Sequence, residues 1–68
     1  MYLPEIGEKL KQLRKLQKLS QTDLAHQLGV SKSVISSYEN SVHYPPYDVL
    51  LQLARIFSVS TDYLLGAA

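Results

Sequence analysis

The side chains that stand out as candidates for chemistry form a short polar series, a lysine followed by three serines: Lys32, Ser33, Ser36 and Ser37. Serine is a poor helix former, yet the surrounding pattern predicts a helix, and Lys32 falls in its first turn, where a cation is mildly unfavourable. Such a departure from local preference often marks a functional surface. Short polar groups let a helix come close to another surface and hydrogen-bond to it. The alternative is a solvated, serine-rich helix without a function.

Positive charge is concentrated in the first part of the chain. Residues 9–18 contain five basic and no acidic residues, whereas residues 41–68 contain one basic and two acidic residues. The net charge of +1 by itself indicates no partner. Cations near the end of a helix complement its dipole, and a basic stripe can also face phosphate groups. The charges alone leave these two interpretations open.

The composition excludes several kinds of site. The chain has no cysteine, so disulfides and thiolate metal sites are excluded, and two histidines are too few to build a metal site easily. There are no paired carboxylates, no nucleophile with a spaced base and no glycine-rich phosphate loop, so we expect neither an enzyme nor a cofactor. No apolar run approaches the roughly 18 residues of a membrane span, and no signal peptide is present. We therefore expect a soluble, cytoplasmic protein with no membrane partner.

Apolar residues recur at helical spacing along the whole chain, and no strand pattern is present. At 68 residues we expect one small domain, spanning 1–68, with an all-α fold in the form of a compact five-helix bundle. The helices are predicted over about residues 4–17, 21–28, 32–40, 46–57 and 61–65. The core is predicted to contain Leu10, Leu13, Leu24, Ala25, Leu28, Val30, Ile35, Leu50, Leu53, Ala54, Phe57 and Leu64.

Three of the helix starts carry the same signal. Ser20, Ser31 and Ser60 are candidate N-caps, and each lies between an apolar residue before it and another at the fourth helical position, as in a hydrophobic staple. Only Gly29, Val30 and Ser31 separate the second helix from the third. A glycine that ends one helix in the left-handed conformation and a capping serine that begins the next predict a helix-turn-helix.

These residues resemble the phage-repressor and Cro-type helix-turn-helix family, also called the XRE family. The resemblance is carried by IGEKLKQLRKLQKLSQTDLAHQLGVSKSVISSYEN, followed by YPPYDVLLQLARIFSVSTDYLLG, and it covers residues 6–66. Its most specific parts are LSQTDLAHQLGVSKSVISSYEN and VSTDYLLG. The resemblance implies a lambda-repressor-like domain whose third helix lies in the major groove of DNA. It also implies a transcriptional regulator, most often a repressor, that binds a double-stranded operator as a homodimer.

The resemblance assigns roles to particular residues. Gln21 matches a glutamine that hydrogen-bonds the DNA backbone, and Arg14 and Glu39 match a pair that joins the first helix to the end of the third. Lys32, Ser33 and Ser37 match readers of base edges. The complete set of implied DNA contacts is Gln21, Ser31, Lys32, Ser33, Ser36, Ser37, Asn40 and His43.

The chain departs from the family after Asn40. The family often has a glycine next and then a lysine or arginine, whereas this chain continues with Ser41, Val42 and His43. A glycine-type turn and the usual phosphate contacts of this loop are therefore in doubt. His43 either supplies one such contact or is a plain loop histidine.

The sequence leaves two questions about partners open. The apolar residues that the predicted core leaves over lie late in the chain and before the fourth helix, and they are candidates for a dimer patch: Val42, Tyr44, Tyr63, Leu65 and Ala67. The alternative is that Leu65 and Tyr63 close the core over Ile6. The alternative to a DNA-binding regulator is an antitoxin or antagonist module on the same fold, which acts mainly through a protein partner.

Overall fold

Five helices make up the part of the chain that the computed structural model describes, residues 5–66. They are α1 (Glu5–Leu16), α2 (Gln21–Leu28), α3 (Lys32–Glu39), α4 (Tyr47–Phe57) and α5 (Thr61–Leu65). No strand forms within these residues, so the predicted all-α, five-helix fold is confirmed. None of the described helices is long and apolar enough to cross a membrane.

The predicted helix ends differ from the observed ends by one residue at three places. Gln17 lies in a turn after α1, Asn40 is the C-cap of α3, and Pro46 is the N-cap of α4 rather than its first residue. The helix start predicted at position 4 lies outside the described residues.

The predicted caps are present. Ser20 and Asp23 form a reciprocal capping box, in which Ser20 Oγ accepts from Asp23 N at 2.9 Å and Asp23 Oδ2 accepts from Ser20 N at 3.0 Å. Hydrogen bonds with the Ser20 backbone and side chain hold the pKa of Asp23 below its ordinary value. Ser31 and Ser60 cap α3 and α5 by accepting from backbone N–H groups three residues ahead.

The turn between α2 and α3 has the geometry that the sequence predicts. Gly29 adopts the left-handed conformation, with φ 71° and ψ 30°, and its N–H group reaches the carbonyl oxygens of Ala25 and His26. Val30 follows, donates its N–H to Ala25 O at 3.0 Å, and packs against the core. The predicted helix-turn-helix is confirmed.

The core draws on all five helices. Two predicted core members, Leu13 and Val30, lie outside the buried cluster, because both are only partly buried and pack against it. On α1 the buried line runs through Ile6, Leu10 and Arg14 at intervals of four residues, which leaves Leu13 to one side. The buried cluster consists of Ile6, Leu10, Leu24, Ala25, Leu28, Ile35, Tyr38, Leu50, Leu53, Ala54, Phe57 and Leu64.

Helix α1 approaches the end of α3 at Gly7, which is buried. A Cβ atom added at Gly7 would lie 2.6 Å from the carbonyl oxygen of Glu39 and 2.8 Å from that of Tyr38. Both distances are shorter than a carbon and an oxygen can tolerate. The close contact therefore requires glycine here, and it brings α1 against the last turn of the helix that carries the polar series.

Candidate nucleic-acid interface

A buried ion pair fixes the end of α3 to α1. Arg14 Nε donates to Glu39 Oε2 at 2.6 Å, and Arg14 Nη2 donates to Glu39 Oε1 at 3.2 Å. Only 10% of the Arg14 side chain and 2% of the Glu39 side chain are exposed. Arg14 Nη1 also donates to Leu19 O at 2.8 Å, so the same guanidinium holds the connection between α1 and α2. The two residues that the resemblance paired do meet.

Gln21, the first residue of α2, joins the same carboxylate. Its Nε2 atom donates one hydrogen to Glu39 Oε1 at 3.0 Å. The amide nitrogen carries two hydrogens, so one remains for a further acceptor. Glu39 therefore connects three helices, and it fixes the orientation of the Gln21 amide at the start of α2.

The ionised form of Glu39 is favoured by these contacts. Burial raises the pKa of Glu39, but the hydrogen bonds from Arg14 and Gln21 and the charge of Arg14 outweigh it, and the net pKa lies below the ordinary value. The hydrogen bond to Glu39 raises the pKa of Arg14 in turn. Both groups are charged near neutral pH, and the end of α3 is held by a complete ion pair.

We call Lys32, Ser33, Ser36 and Ser37 the polar face of α3. Lys32 and Ser36 are four residues apart, as are Ser33 and Ser37, so the helix brings all four onto one side. Lys32 and Ser33 are exposed and Ser36 and Ser37 are half-buried, whereas Ile35, Tyr38 and Glu39 point into the protein. The structure therefore presents the predicted polar series as one surface.

The remaining residues of the predicted site lie around α3. Ser31 precedes the helix, with its hydroxyl oxygen accepting from Val34 N at 3.3 Å. Asn40 follows the helix, and its Nδ2 atom donates to Ser36 Oγ at 3.2 Å. His43 is exposed in the next loop, and its backbone N–H donates to Ser37 O at 3.3 Å. Gln21 lies at the start of α2, and its side chain bonds to Glu39.

The turn after α3, which the absence of a glycine after Asn40 put in doubt, does form. Ser41 takes the left-handed conformation with φ 61°, at a conformational cost of about 1 kcal/mol. Its N–H donates to Tyr38 O at 3.2 Å, and Val42 N donates to Ser37 O at 2.9 Å. Serine thus makes the turn at which the family often has glycine, while this chain has no lysine or arginine in that loop.

The basic residues at positions 9–18 do not form a uniform stripe. Arg14 is used in the buried ion pair, and Lys9 Nζ donates to Tyr63 O at 2.8 Å and lies 4.8 Å from the centre of the Tyr63 ring. Arg14 and Lys15 stand in the last turn of α1, where cations complement the helix dipole. Lys11, Lys15 and Lys18 remain exposed. Two of the five basic residues therefore have structural contacts.

The described residues form no candidate metal site. Residues 5–66 contain no group of three or more histidine, aspartate or glutamate side chains placed to hold an ion. The site is instead a face of hydrogen-bonding groups on a helix whose end is fixed to the protein.

Comparison with known proteins identifies the same architecture. The sequence model of the helix-turn-helix family matches residues 10–64. The crystal structure of the P22 c2 repressor in complex with a synthetic operator is 36% identical, with a TM-score of 0.86 over 93% of this chain and 96% of that one. The structure of SinR, a master regulator for biofilm formation, in complex with DNA is 36% identical, with a TM-score of 0.79 over 88% of this chain and 97% of that one.

A relative from Bacillus subtilis adds evidence from sequence. The uncharacterized HTH-type transcriptional regulator YobD is 46% identical over 59 residues, which are 87% of this chain and 53% of YobD. The chain spans about half the length of the first curated relatives that it matches. The fold, the family match and these identities agree, and the chain belongs to the helix-turn-helix family, of the phage-repressor type that its sequence resembles.

Proposed function

We propose that this chain binds double-stranded DNA sequence-specifically and serves as the DNA-binding part of a transcriptional regulator, as a repressor. The observation that carries the proposal is the polar face of α3, which projects from a helix held by a buried ion pair. The major groove of B-DNA admits an α-helix and presents a different pattern of hydrogen-bonding groups for each base pair. A rigid helix with short polar side chains and a leading lysine suits that groove.

Each residue of the proposed site has a hydrogen-bonding group suited to its role. Lys32, Ser33 and Ser37 read base edges, and lysine favours the acceptor atoms of guanine. Contacts to phosphate position a protein on DNA but carry no sequence information directly. We assign phosphate contacts to the free amide hydrogen of Gln21 and to the hydroxyls of Ser31 and Ser36 at the edge of the face. Asn40 and His43, which follow α3, are assigned the same role.

We propose further that two copies bind together on DNA. One small module covers too little DNA for tight specific binding, and two-fold symmetric dimers place their recognition helices about 34–36 Å apart. Val42, Tyr44 and Tyr63 are exposed and are the side chains we assign to the contact. Leu65 packs against the core, whereas Tyr63, which the alternative interpretation also placed there, is exposed. Ala67 lies outside the described residues.

Selection of duplexes from a random pool tests the proposed function. The chain should enrich one near-palindromic sequence, and it should bind that duplex about 10³-fold or more tightly than a scrambled one. Exposed lysines displace counterions from DNA, so the logarithm of the binding constant should fall linearly with the logarithm of salt concentration. Weak binding without a preferred sequence and without salt dependence would instead indicate a module that works through a protein partner.

A further inference from the structure

The hydroxyl groups on the polar face of α3 do not have equal hydrogen-bonding capacity. Ser37 Oγ lies 2.8 Å from the carbonyl oxygen of Val34, one turn earlier in the helix. A carbonyl oxygen can only accept, so the single hydrogen of the Ser37 hydroxyl must point to it. Toward the outside, Ser37 therefore offers lone pairs and no hydrogen.

The other two serines of the face differ from Ser37. Ser36 Oγ accepts from Asn40 Nδ2 at 3.2 Å, which leaves its own hydrogen available. The hydroxyl of Ser33 makes no hydrogen bond with the described part of the chain, so it can turn to donate or to accept. Three residues of one type thus have three different capacities, and Ser33 is a matched control for Ser37.

We propose that Ser37 determines specificity by accepting a hydrogen bond from an exocyclic amino group of a base, adenine N6 or cytosine N4. This inference rests on the proposed DNA binding through α3. In the major groove those amino groups are the donors, whereas guanine O6 and N7 and thymine O4 are acceptors. On the strand that Ser37 faces, the chain therefore favours adenine or cytosine over guanine or thymine.

The preference arises because Val34 O and an acceptor atom of a base compete for the single hydroxyl hydrogen of Ser37. An amino group lets Ser37 keep its bond to Val34 O and gain a second bond through a lone pair. To reach guanine O6 or thymine O4, the hydroxyl must turn away from Val34 O, so one bond is exchanged for the other. The difference is one hydrogen bond, which corresponds to a factor of about 2–10 in affinity.

Base analogues separate donation from acceptance, which natural base pairs cannot do because every pair carries both an amino group and a carbonyl. The experiment uses the selected duplex and compares the wild-type chain with Ser37→Ala, which favours the helix and leaves folding intact. At each contacted base pair, the amino group is deleted by placing purine for adenine or 2-pyrimidinone for cytosine. In separate duplexes the opposite carbonyl is deleted, with 2-aminopurine for guanine or 5-methyl-2-pyrimidinone for thymine.

We expect one amino deletion to weaken binding of the wild-type chain about 2–10-fold more than binding of Ser37→Ala. Ser33→Ala should respond to that deletion as the wild-type chain does. The inference is overturned if a carbonyl deletion, and no amino deletion, separates wild type from Ser37→Ala, or if no analogue separates them. Failure of the wild-type chain to prefer any duplex is a different result, because it overturns the proposed function as well.

Discussion

Replacing Arg14 by alanine should lower the free energy of unfolding by about 3–5 kcal/mol, because the Glu39 carboxylate is left buried without its cation. That loss is comparable with the whole stability of many domains of this size. Far-ultraviolet circular dichroism during urea titration measures it. A loss below about 1 kcal/mol would contradict the ion pair as the element that fixes the end of α3.

The matched control replaces both partners at once. Arg14→Met combined with Glu39→Leu removes the charges together, and replacing a buried pair with apolar side chains is often neutral or stabilising. The double variant should therefore be much more stable than Arg14→Ala. If the two are equally unstable, the loss comes from packing and not from an unpaired charge.

The effect of Arg14→Ala should depend on pH. The pKa of Glu39 is lowered in the folded wild type, so the ion pair stabilises the fold above the unfolded-state pKa. That stabilisation is lost as the pH falls through the lower folded-state pKa. In Arg14→Ala the buried carboxyl becomes neutral in acid, and the difference in stability from wild type should narrow there. A difference that is constant with pH would exclude the charge of Glu39 as its cause.

Replacing Gly7 by alanine should destabilise the fold by about 1–3 kcal/mol. Alanine is intrinsically better than glycine inside a helix by about 1 kcal/mol, so propensity alone predicts the opposite sign. The contact decides, because the new Cβ would meet the Glu39 and Tyr38 carbonyl oxygens at 2.6 and 2.8 Å. These are backbone atoms, and they can move only if the end of α3 moves.

Urea unfolding of Gly7→Ala beside Glu8→Ala tests this expectation. Glu8 is the neighbouring, exposed residue of α1, and its replacement should change stability by less than about 0.5 kcal/mol. A Gly7→Ala variant that is more stable than wild type would show that α1 and α3 lie farther apart than the structure has them.

The helices could be predicted from the sequence because their signals are local. Ser20, Ser31 and Ser60 each cap the helix that begins next to them, and Gly29 ends the one before it. These residues hydrogen-bond to backbone groups only a few positions away, so a short stretch of sequence is enough to predict where the helices begin and end. A local pattern cannot show that position 7 requires glycine, since the carbonyl oxygens that exclude a side chain there belong to α3.

The contacts that organise the candidate site could not be predicted from spacing. Gln21 and Glu39 are polar residues 18 positions apart, and no periodic pattern joins them. Lys9 contacts Tyr63, which is 54 positions away in the sequence. No local pattern shows that this lysine has a structural partner. The pairing of Arg14 with Glu39 came only from the family resemblance. Ser41 put a glycine-type turn after Asn40 in doubt. The turn forms nevertheless, because it depends on backbone hydrogen bonds that serine also permits.

Comparing Lys32→Ala with Gln21→Ala tests DNA reading by α3 most directly. The panel consists of duplexes that differ from the selected sequence by one base pair, with affinities measured at one salt concentration. Lys32→Ala should reduce discrimination at one or two base pairs by about 1–3 kcal/mol and leave the other positions unchanged. Gln21→Ala should weaken all duplexes about equally, because a phosphate contact carries no sequence information. Equal weakening of every duplex by Lys32→Ala would contradict base reading at the leading end of α3.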